Sequence, residues 1–455
     1  MTAFTRRQWI AGACTSALPA GLRAAARRPN IILVMADDQG WGDTGYNGHA
    51  TLRTPHLDEM ARSGVRFDRF YSGAPVCSPT RGSCLTGRHP FRYGVFFANA
   101  GREGQPSEYA LPTEEVTIAE VVKPLGYRTG HFGKWHLGDF DGPRRSSPSD
   151  HGFSEWFSTV RKVPTVDPPP GEYWENGKPV TETLRGDDSR IIMDRALPFI
   201  ERSVKGKDPF LAVVWLHTPH LPVAATAEHR ARYRGFKETQ QHYWGAITAM
   251  DEQVGRLRSG LRRLGVAGNT MLWYASDNGP EGDQEDADWP GTARPFRGRK
   301  ASLFEGGIRV PAMLEWPDVI RRPRVVKSMA STSDYFPTIV DALGLPAPHR
   351  RPLDGISLLR TLREGEHAGA RALAFETTRV TRGSPRLALI EDRYKLLTNL
   401  DSSDDLLWDL LADPSETKNL ALQLPSETRR MRGILTAWRE SCRRSNAGAD
   451  YSEHP

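Results

Sequence analysis

Residues 30–38 read NIILVMADD, an uninterrupted apolar run that ends in two acids. A run of this kind, without polar alternation, is typical of a strand buried on both faces of a sheet. Two further runs share the same character, FLAVVWL at residues 210–216 and TMLWYA at residues 270–275. The three runs therefore predict buried strands of one sheet.

Helical patterns lie between these runs. Thr54 and Pro55 supply an N-cap and a first-turn proline, which predict the start of a helix. A longer pattern precedes the third run and ends at Gly265. Its apolar residues, three or four apart, are Tyr243, Ile247, Met250, Val254, Leu257, Leu261 and Leu264. Strands that alternate with helices predict an α/β fold with a large, mostly parallel sheet covered by helices on both faces.

The chain of 455 residues is long for one hydrophobic core. Hydrophobic residues make up 38% and charged residues 25%, as in ordinary soluble globular proteins. A cluster of prolines among arginines, at positions 346, 348 and 352, indicates a boundary. We predict a catalytic domain at residues 29–350 and a smaller C-terminal α+β subdomain at residues 351–443.

Within the subdomain, residues 387–390 and 394–397 predict a short antiparallel hairpin. The apolar row Met431, Leu435, Trp438 and Cys442 predicts a terminal helix. Residues 444–455 are polar, and we expect them to be a frayed tail.

Residues 1–28 have the order of a signal peptide, with a basic start, a short apolar region and a small-residue cleavage site. The pair Arg6-Arg7 resembles a twin-arginine signal, which predicts export by that machinery to the periplasm or beyond the cell. The alternative is an amphipathic N-terminus, and lipidation of Cys14 is left open. The apolar region is shorter than the roughly 20 residues that cross a bilayer, so no integral membrane span is predicted.

Net charge argues against a nucleic-acid partner. The first 28 residues contain five arginines and no acid, so their removal lowers the formal net charge from +6 to +1. A nearly neutral protein has no electrostatic footprint for polyanions. The cysteines beyond this segment, Cys77, Cys84 and Cys442, make no disulfide framework.

Polar side chains follow the three apolar runs. Asp37-Asp38 follows the first, His217-Thr218-Pro219-His220 the second and Asp277-Asn278 the third. Ligands of open α/β sheets gather at the carboxyl ends of the strands. If the first and third strands are neighbours, three carboxylates and an amide oxygen converge there, a donor set that favours calcium or magnesium. The alternative for each acidic pair is a solvated turn.

Residues 77–88 read CSPTRGSCLTGR. Pro79, just after the start, favours a helix N-terminus, where free N–H groups attract anions. Cys77 therefore lies where a nucleophile would meet a negatively charged group, with Arg81 about one turn behind it. A cysteine in isolation is more often a core residue, and we interpret Cys84 in that way.

The pattern Cys-x-Pro-x-Arg followed by Leu-Thr-Gly-Arg resembles the signature of the type I, formylglycine-dependent sulfatases of the alkaline phosphatase superfamily. The resemblance covers roughly residues 29–420, looks closest to arylsulfatases and N-acetylgalactosamine-6-sulfatase, and implies an alkaline-phosphatase-like fold. Further matching motifs are DDQGWGD (37–43), TPHLD (54–58), GKWHLG (133–138), SDNG (276–279), GRK (298–300) and EGGIRVP (305–311).

The resemblance implies that a formylglycine-generating enzyme oxidises the cysteine at position 77 to 3-oxoalanine. It also implies one bound calcium ion. Its ligands would be Asp37, Asp38, modified Cys77, Asp277 and Asn278. Calcium would draw a sulfate oxygen towards the nucleophile, and Arg81 would hold the nucleophile's oxygen.

Further catalytic and substrate-binding residues follow from the same resemblance. Lys134 and His136 are two apart, so on an extended segment they face the same side. Lys134 would neutralise sulfate, and His136 would take a proton to release sulfate and restore the aldehyde. His217 and Lys300 would complete the site, and either one could bind sulfate and protonate the departing oxygen. His220, one step past a strand end, could contact substrate, whereas we interpret His131 as a packing residue.

These features predict a sulfatase that acts on a sulfated carbohydrate or small molecule and also on aryl sulfates. One alternative is a phosphodiesterase or phosphonate monoester hydrolase of the same superfamily. Another is an inactive glycan-binding homologue. The type of substrate, the linkage position and the oligomeric state are not determined by the sequence.

Overall fold

The computed structural model describes residues 28–98, 110–142, 145–365, 371–378, 381, 383–401 and 404–451. The predicted signal peptide at residues 1–28, with Cys14, lies outside the described residues apart from Arg28. The strands are β1 (Asn30–Ala36), β2 (Val65–Phe67), β3 (Phe70–Tyr71), β4 (Arg128–Lys134), β5 (Glu155–Thr159), β6 (Tyr173–Glu175), β7 (Lys178–Pro179), β8 (Phe210–Trp215), β9 (Thr270–Ser276), β10 (Ala312–Glu315), β11 (Arg324–Val326), β12 (Ala330–Ser331), β13 (Leu373–Glu376), β14 (Leu387–Ile390), β15 (Tyr394–Thr398) and β16 (Leu406–Asp409). The helices are α1 (Pro55–Ser63), α2 (Cys77–Thr86), α3 (Ile118–Val122), α4 (Asp188–Gly206), α5 (Ala227–Ala231), α6 (Glu238–Arg263), α7 (Glu305–Ile308), α8 (Tyr335–Ala342), α9 (Leu359–Glu364) and α10 (Pro425–Asn446).

Ten of these strands form one sheet in the order β11-β2-β10-β9-β1-β8-β4-β5-β6-β7. The central strands β9, β1, β8, β4 and β5 are parallel, and antiparallel pairs flank them. The three apolar runs lie side by side at the centre, since β1 pairs with both β8 and β9. The predicted strands are confirmed, and the condition that the first and third are neighbours is met.

Helices cover both faces of this sheet. Successive residues of β1 alternate between the faces, so Ile31 packs in one core and Ile32 in the other. The core containing Ile31 includes side chains of α2, α3 and α8. The core containing Ile32 includes side chains of α1, α4 and α6. The predicted large, mostly parallel sheet with helices on both faces is confirmed.

A second, antiparallel sheet of four strands, β13-β14-β15-β16, lies near the C-terminus. One face packs on the segment that contains Leu303, Phe304 and Ile308, and the other packs on α10. The predicted short antiparallel sheet and terminal helix are confirmed. Side chains of α9, which lies beyond residue 350, pack in a core of the large sheet. The domain boundary at residue 350 stays a prediction.

The prediction of a frayed tail from residue 444 was wrong for the described residues up to 451. Helix α10 continues to Asn446, and beyond it Asp450 pairs with Arg88 at 2.7 Å. The side chain of Arg88 is completely buried and also contacts Glu115 at 3.1 Å. A buried guanidinium needs carboxylate partners, and the tail supplies one of them. The tail is therefore ordered by a charge that lies more than 350 residues away in sequence.

We expect Asp450→Asn to lower the free energy of unfolding by about 3 kcal/mol, because it leaves the buried charge of Arg88 with one carboxylate instead of two. Chemical denaturation measures the effect. Glu440→Gln is the matched control, since its pair with Arg443 is exposed at 46% and 72%. Equal stability of the two variants would contradict the assigned role of the tail.

Candidate active site

Cys77 is the first residue of α2, as the proline pattern predicted. Every residue of this helix is buried, and Cys77 is 1% exposed. Its Sγ lies 3.2 Å from Oδ1 of Asp37 and 4.0 Å from Oδ1 of Asp38. Residue 77 therefore lies directly against the acids that follow the first strand.

The two consecutive acids converge because the backbone turns at Asp38. In a strand, neighbouring side chains point to opposite faces. Asp38 instead has φ of 66°, in the left-handed region, and its N–H donates to Oδ1 of Asp277 at 3.1 Å. Its Oδ1 accepts a hydrogen bond from Nδ2 of Asn278 at 2.7 Å. The four residues predicted as oxygen ligands from two strand ends are thus brought together.

Each of the three acids has a cationic partner. Nζ of Lys134 lies 2.5 Å from Asp37, and Nη2 of Arg81 lies 2.7 Å from Asp277. Nζ of Lys300 lies 2.7 Å from Asp38. Because these groups are nearly or completely buried, water screens them little. The charged residues predicted from the sequence motifs meet at one place.

Burial and mutual repulsion shape the titration of these acids. Burial alone would raise the pKa of Asp37, but nearby positive charges, with Lys134 foremost, hold it well below its ordinary value. Burial, together with the charge on Asp37, raises the pKa of Asp277 to about 7. Burial also raises the pKa of Asp38 despite the charge on Lys300. Further positive charge would therefore stabilise the ionised form of two of the three carboxylates, Asp38 and Asp277.

The donor set fits a hard divalent cation. One ligand atom from each of Asp37, Asp38, Cys77 and His220 lies within 4.8 Å of the others. Oδ1 of Asn278 is buried, and no residue in the described part of the chain donates a hydrogen bond to it. A buried amide oxygen without a donor, beside several carboxylates, is what calcium or magnesium would satisfy. His220 is an addition to the predicted group.

The assignment of His217 to the site was wrong, because its ring contacts other residues than the acids of the site. Its Nδ1 lies 2.8 Å from Oδ2 of Asp188, and its Nε2 lies 2.8 Å from Oγ1 of Thr159. Both ring nitrogens are thus used by neighbours away from the acids at the end of β1. The structural pairing with Asp188 could not be read from the sequence, because Asp188 begins a helix 29 residues earlier.

His220 takes the place expected for His217. Its Nε2 lies 3.1 Å from Nζ of Lys300 and 3.5 Å from Oδ2 of Asp38. Its Nδ1 lies 2.5 Å from the carbonyl oxygen of Leu221, and burial lowers its pKa well below the ordinary value. The backbone N–H of His220 donates to the backbone carbonyl of His217, so a turn separates the two rings. His220 was predicted only as a substrate contact.

Lys134 and His136 do not share an extended segment. Strand β4 ends at Lys134, and His136 has φ of 55°. The spacing argument therefore does not apply, although Lys134 does reach Asp37. Burial, and then the charges of Lys134 and Arg81, lower the pKa of His136 well below its ordinary value. His136 thus lies within the field of the site's cations.

Two residues interpreted as core are confirmed as such. His131 is buried, and its ring lies edge-on to Trp135 and Trp215 with centroids 5.0 Å away. Cys84 is completely buried in the core that α2 shares with the sheet.

The segment that carries Lys300 is held between the two parts of the molecule. The N–H of Ala301 donates to the carbonyl of Pro75 at 2.8 Å, two residues before Cys77. Just beyond it, Glu305 pairs at 3.0 Å with Lys395 of the small sheet, and Lys395 also pairs with Glu416 at 2.9 Å. All three side chains are completely buried. The C-terminal sheet therefore helps to place Lys300.

A mostly parallel sheet with acids at its carboxyl edge, a residue at a buried helix N-terminus and a small C-terminal antiparallel sheet define a member of the alkaline phosphatase superfamily. Within it, the chain belongs to the sulfatase family, whose model matches residues 29–345. The model named N-sulphoglucosamine sulphohydrolase, C-terminal, matches residues 298–435. The protein is a sulfuric ester hydrolase.

Individual relatives agree with this assignment. The chain is 34% identical to N-acetylgalactosamine-6-sulfatase of Sus scrofa, over 77% of this chain and 69% of the relative. It is 31% identical to arylsulfatase G of Rattus norvegicus, over 81% and 76%. It is similar in structure to Ps i-CgsB, crystallised in complex with k-i-k-neocarrahexaose, with a TM-score of 0.82, 26% identity and coverage of 91% and 93%.

Proposed function

We propose that this sulfatase hydrolyses a sulfate ester of a carbohydrate, and aryl sulfates as well, with a formylglycine made from Cys77 and one bound calcium ion. The observation that carries the proposal is the position of Cys77. Its Sγ lies 3.2 Å from Asp37 at a buried helix N-terminus. The side chains of Arg81, Lys134 and Lys300 pair with the acids around it.

Calcium, when bound, would supply positive charge to a sulfate oxygen and to the attacking oxygen. The oxygens of Asp37, Asp38, Asp277 and Asn278, with residue 77, would hold it. The buried amide oxygen of Asn278 and the crowded carboxylates support this part of the proposal.

The environment of Cys77 favours a nucleophile other than its thiolate. Burial, followed by the charges of Asp277 and Asp37, raises the pKa of the thiol well above its ordinary value. A hydrated aldehyde at this position supplies one hydroxyl to attack sulfur and a second that allows sulfate to leave without attack by water. Arg81 lies one turn behind residue 77 and would hold the attacking oxygen by a charge-assisted hydrogen bond.

The remaining residues would bind sulfate and move protons. Lys134 would neutralise sulfate, and His136 would accept the proton whose loss restores the aldehyde. His220 and Lys300, 3.1 Å apart, replace the pair His217 and Lys300 as candidates to protonate the departing alcohol oxygen. Such a proton transfer contributes about 10²–10⁴ in rate.

Maturation and export complete the proposal. The Cys-x-Pro-x-Arg motif would be recognised by the oxygen-dependent formylglycine-generating enzyme in the cytoplasm. The twin-arginine machinery would then export the protein to the periplasm or the extracellular space. In the described part of the chain, every helix is too short or too polar to cross a bilayer.

Rates on matched substrates test the function. Natively produced protein is expected to hydrolyse aryl sulfate faster than an aryl phosphodiester, because residues 133–136 and 298–300 match the motifs of the sulfatases. A preference for the phosphodiester would favour the alternative activity in the same superfamily. Peptide mass spectrometry around residue 77 tests the inactive glycan-binding alternative, which predicts an unmodified thiol.

We expect Lys134→Ala to lower kcat/KM for aryl sulfate by about 10²–10³, since it removes a buried charge from the sulfate site. Steady-state kinetics in the presence of calcium measures the loss, and thermal unfolding checks that the protein remains folded. Lys178→Ala is the control, because Lys178 is exposed in β7. A kcat/KM of Lys134→Ala close to that of the wild-type protein would contradict the role of Lys134.

A further inference from the structure

Glu281 is the outermost member of a chain of contacts that begins at the buried acids. Nζ of Lys300 lies 2.7 Å from Oδ2 of Asp38 on one side and 2.8 Å from Oε2 of Glu281 on the other. The side chains of Asp38, Lys300 and Glu281 are 1%, 11% and 32% exposed. The exposure rises in that order, so Glu281 lies where the site opens to solvent.

The backbone around Glu281 is held in place. Nε and Nη2 of Arg299 donate to the carbonyl oxygen of Glu281 at 3.2 and 2.6 Å. The N–H of Lys300 donates to the carbonyl of Pro280 at 3.0 Å. The backbone of Glu281 is therefore placed by the same segment that carries Lys300, and the pair with Nζ of Lys300 directs its carboxylate.

An aromatic ring lies next to Glu281. Gly282 has φ of 101°, and a Cβ atom at this position would come within 2.7 Å of the indole of Trp289. The indole thus lies directly on the backbone that follows Glu281. Trp289 is only partly buried, and its backbone N–H donates to Oδ1 of Asp286 at 2.9 Å, which closes the loop.

We propose that Glu281 and Trp289 bind the sugar ring that carries the scissile sulfate, and that Glu281 selects a ring with a free hydroxyl next to the ester. The inference rests on the proposed function and adds the substrate class to it. A carboxylate only accepts hydrogen bonds, so it pairs with a hydroxyl donor. The partly exposed indole offers an apolar face to the C–H groups of the ring.

The same carboxylate disfavours a second anion. A neighbouring sulfate or carboxylate on the sugar would bring like charge to Glu281 and would offer it no proton. The favoured substrate is therefore a sugar monosulfate with a free adjacent hydroxyl, and an adjacent disulfate is a poor substrate. Aryl sulfate has no such hydroxyl and reports on the sulfate site alone.

The test compares kcat/KM on three kinds of substrate: 4-nitrophenyl sulfate, a panel of hexose and N-acetylhexosamine monosulfates, and the adjacent disulfates of the same sugars. Matured full-length protein is used in the presence of calcium. The quantity compared is the ratio of kcat/KM on the best monosulfate to kcat/KM on 4-nitrophenyl sulfate. Glu281→Ala should lower this ratio about tenfold or more, as expected for loss of a charged hydrogen bond. Trp289→Ala should change this ratio in the same direction.

Glu281→Gln separates charge from hydrogen bonding. It keeps an acceptor oxygen but removes the charge, so it should raise the rate on adjacent disulfates relative to monosulfates about tenfold. Glu285→Gln is the control in the same loop, because the carboxylate of Glu285 pairs with the exposed Arg294 at 3.2 Å. It should leave all ratios unchanged.

Two results would overturn the inference. Equal losses on aryl and sugar sulfates in Glu281→Ala would show that Glu281 only supports Lys300. A wild-type protein that hydrolyses adjacent disulfates as fast as monosulfates would show that the carboxylate does not select. Failure of the wild type on every sulfate ester is a different result, which contradicts the proposed function and with it this inference.

Discussion

Cys77→Ala will lower the hydrolysis of sulfate esters by at least about 10⁴-fold, the scale of loss when a nucleophile is removed. Cys77 lies at the N-terminus of α2 with its Sγ 3.2 Å from Asp37, and the part of the chain that the structure describes places no other cysteine in this group of acids. Steady-state rates on 4-nitrophenyl sulfate measure the loss. The protein should remain folded, because alanine is tolerated in the first turn of a helix.

Cys84→Ala is the matched control for this experiment. Cys84 lies on the same helix and is completely buried, but it packs in the hydrophobic core. Its replacement should cost about 1 kcal/mol of stability through lost packing, with the rate per folded molecule unchanged. Cys77→Ser retains a hydroxyl but not the oxidisable thiol, and it should be as inactive as Cys77→Ala. Turnover close to that of the wild type in either variant at position 77 would contradict the assigned nucleophile.

Removal of the divalent cation will have an effect of similar size. Dialysis against a chelator should abolish turnover, and added calcium should restore it. The carboxylates of Asp37, Asp38 and Asp277 lie close together in a completely buried site, and burial raises the pKa of the last to about 7. Loss of the cation should also lower stability, since a ligand at a hundred times its Kd stabilises the folded state by about 2.7 kcal/mol.

Thermal unfolding with and without calcium provides the second readout. The variant Asp38→Asn should lose the calcium-dependent shift, whereas Asp318→Asn, in the turn after β10, should keep it. Full activity of a chelated protein shown by metal analysis to be free of divalent ions would contradict the calcium site. Restoration by zinc but not by calcium would instead indicate that the imidazole of His220 is a dominant ligand of the site.

The local patterns in the sequence were sufficient for the elements of the fold. The run at residues 30–36 is a strand with those bounds, and the helix predicted before Gly265 is α6. Periods of two and 3.6 residues report which faces are buried, and burial is the main cause of these elements. The meeting of Asp37-Asp38 with Asp277-Asn278 also followed, because parallel neighbours end at the same edge of a sheet.

Other features depended on contacts between distant segments. The left-handed turn at Asp38 is stabilised by a hydrogen bond to Asp277, 239 residues later, and the order of the tail comes from Asp450 on the buried Arg88. The choice of His220 over His217 depends on Asp188 and Thr159, which bind the ring of His217.

The sequence by itself thus determined the large sheet, the helix that begins at Cys77 and the acids and cations around it. Only the tertiary structure decided which histidine faces Lys300, how two consecutive aspartates converge and which carboxylate pairs with Lys300 on its solvent side. The physical reason is that periodicity and helix caps are local properties of the chain. The direction of a buried polar side chain is instead set by the partners that compensate its lost hydration, and those partners come from other parts of the chain.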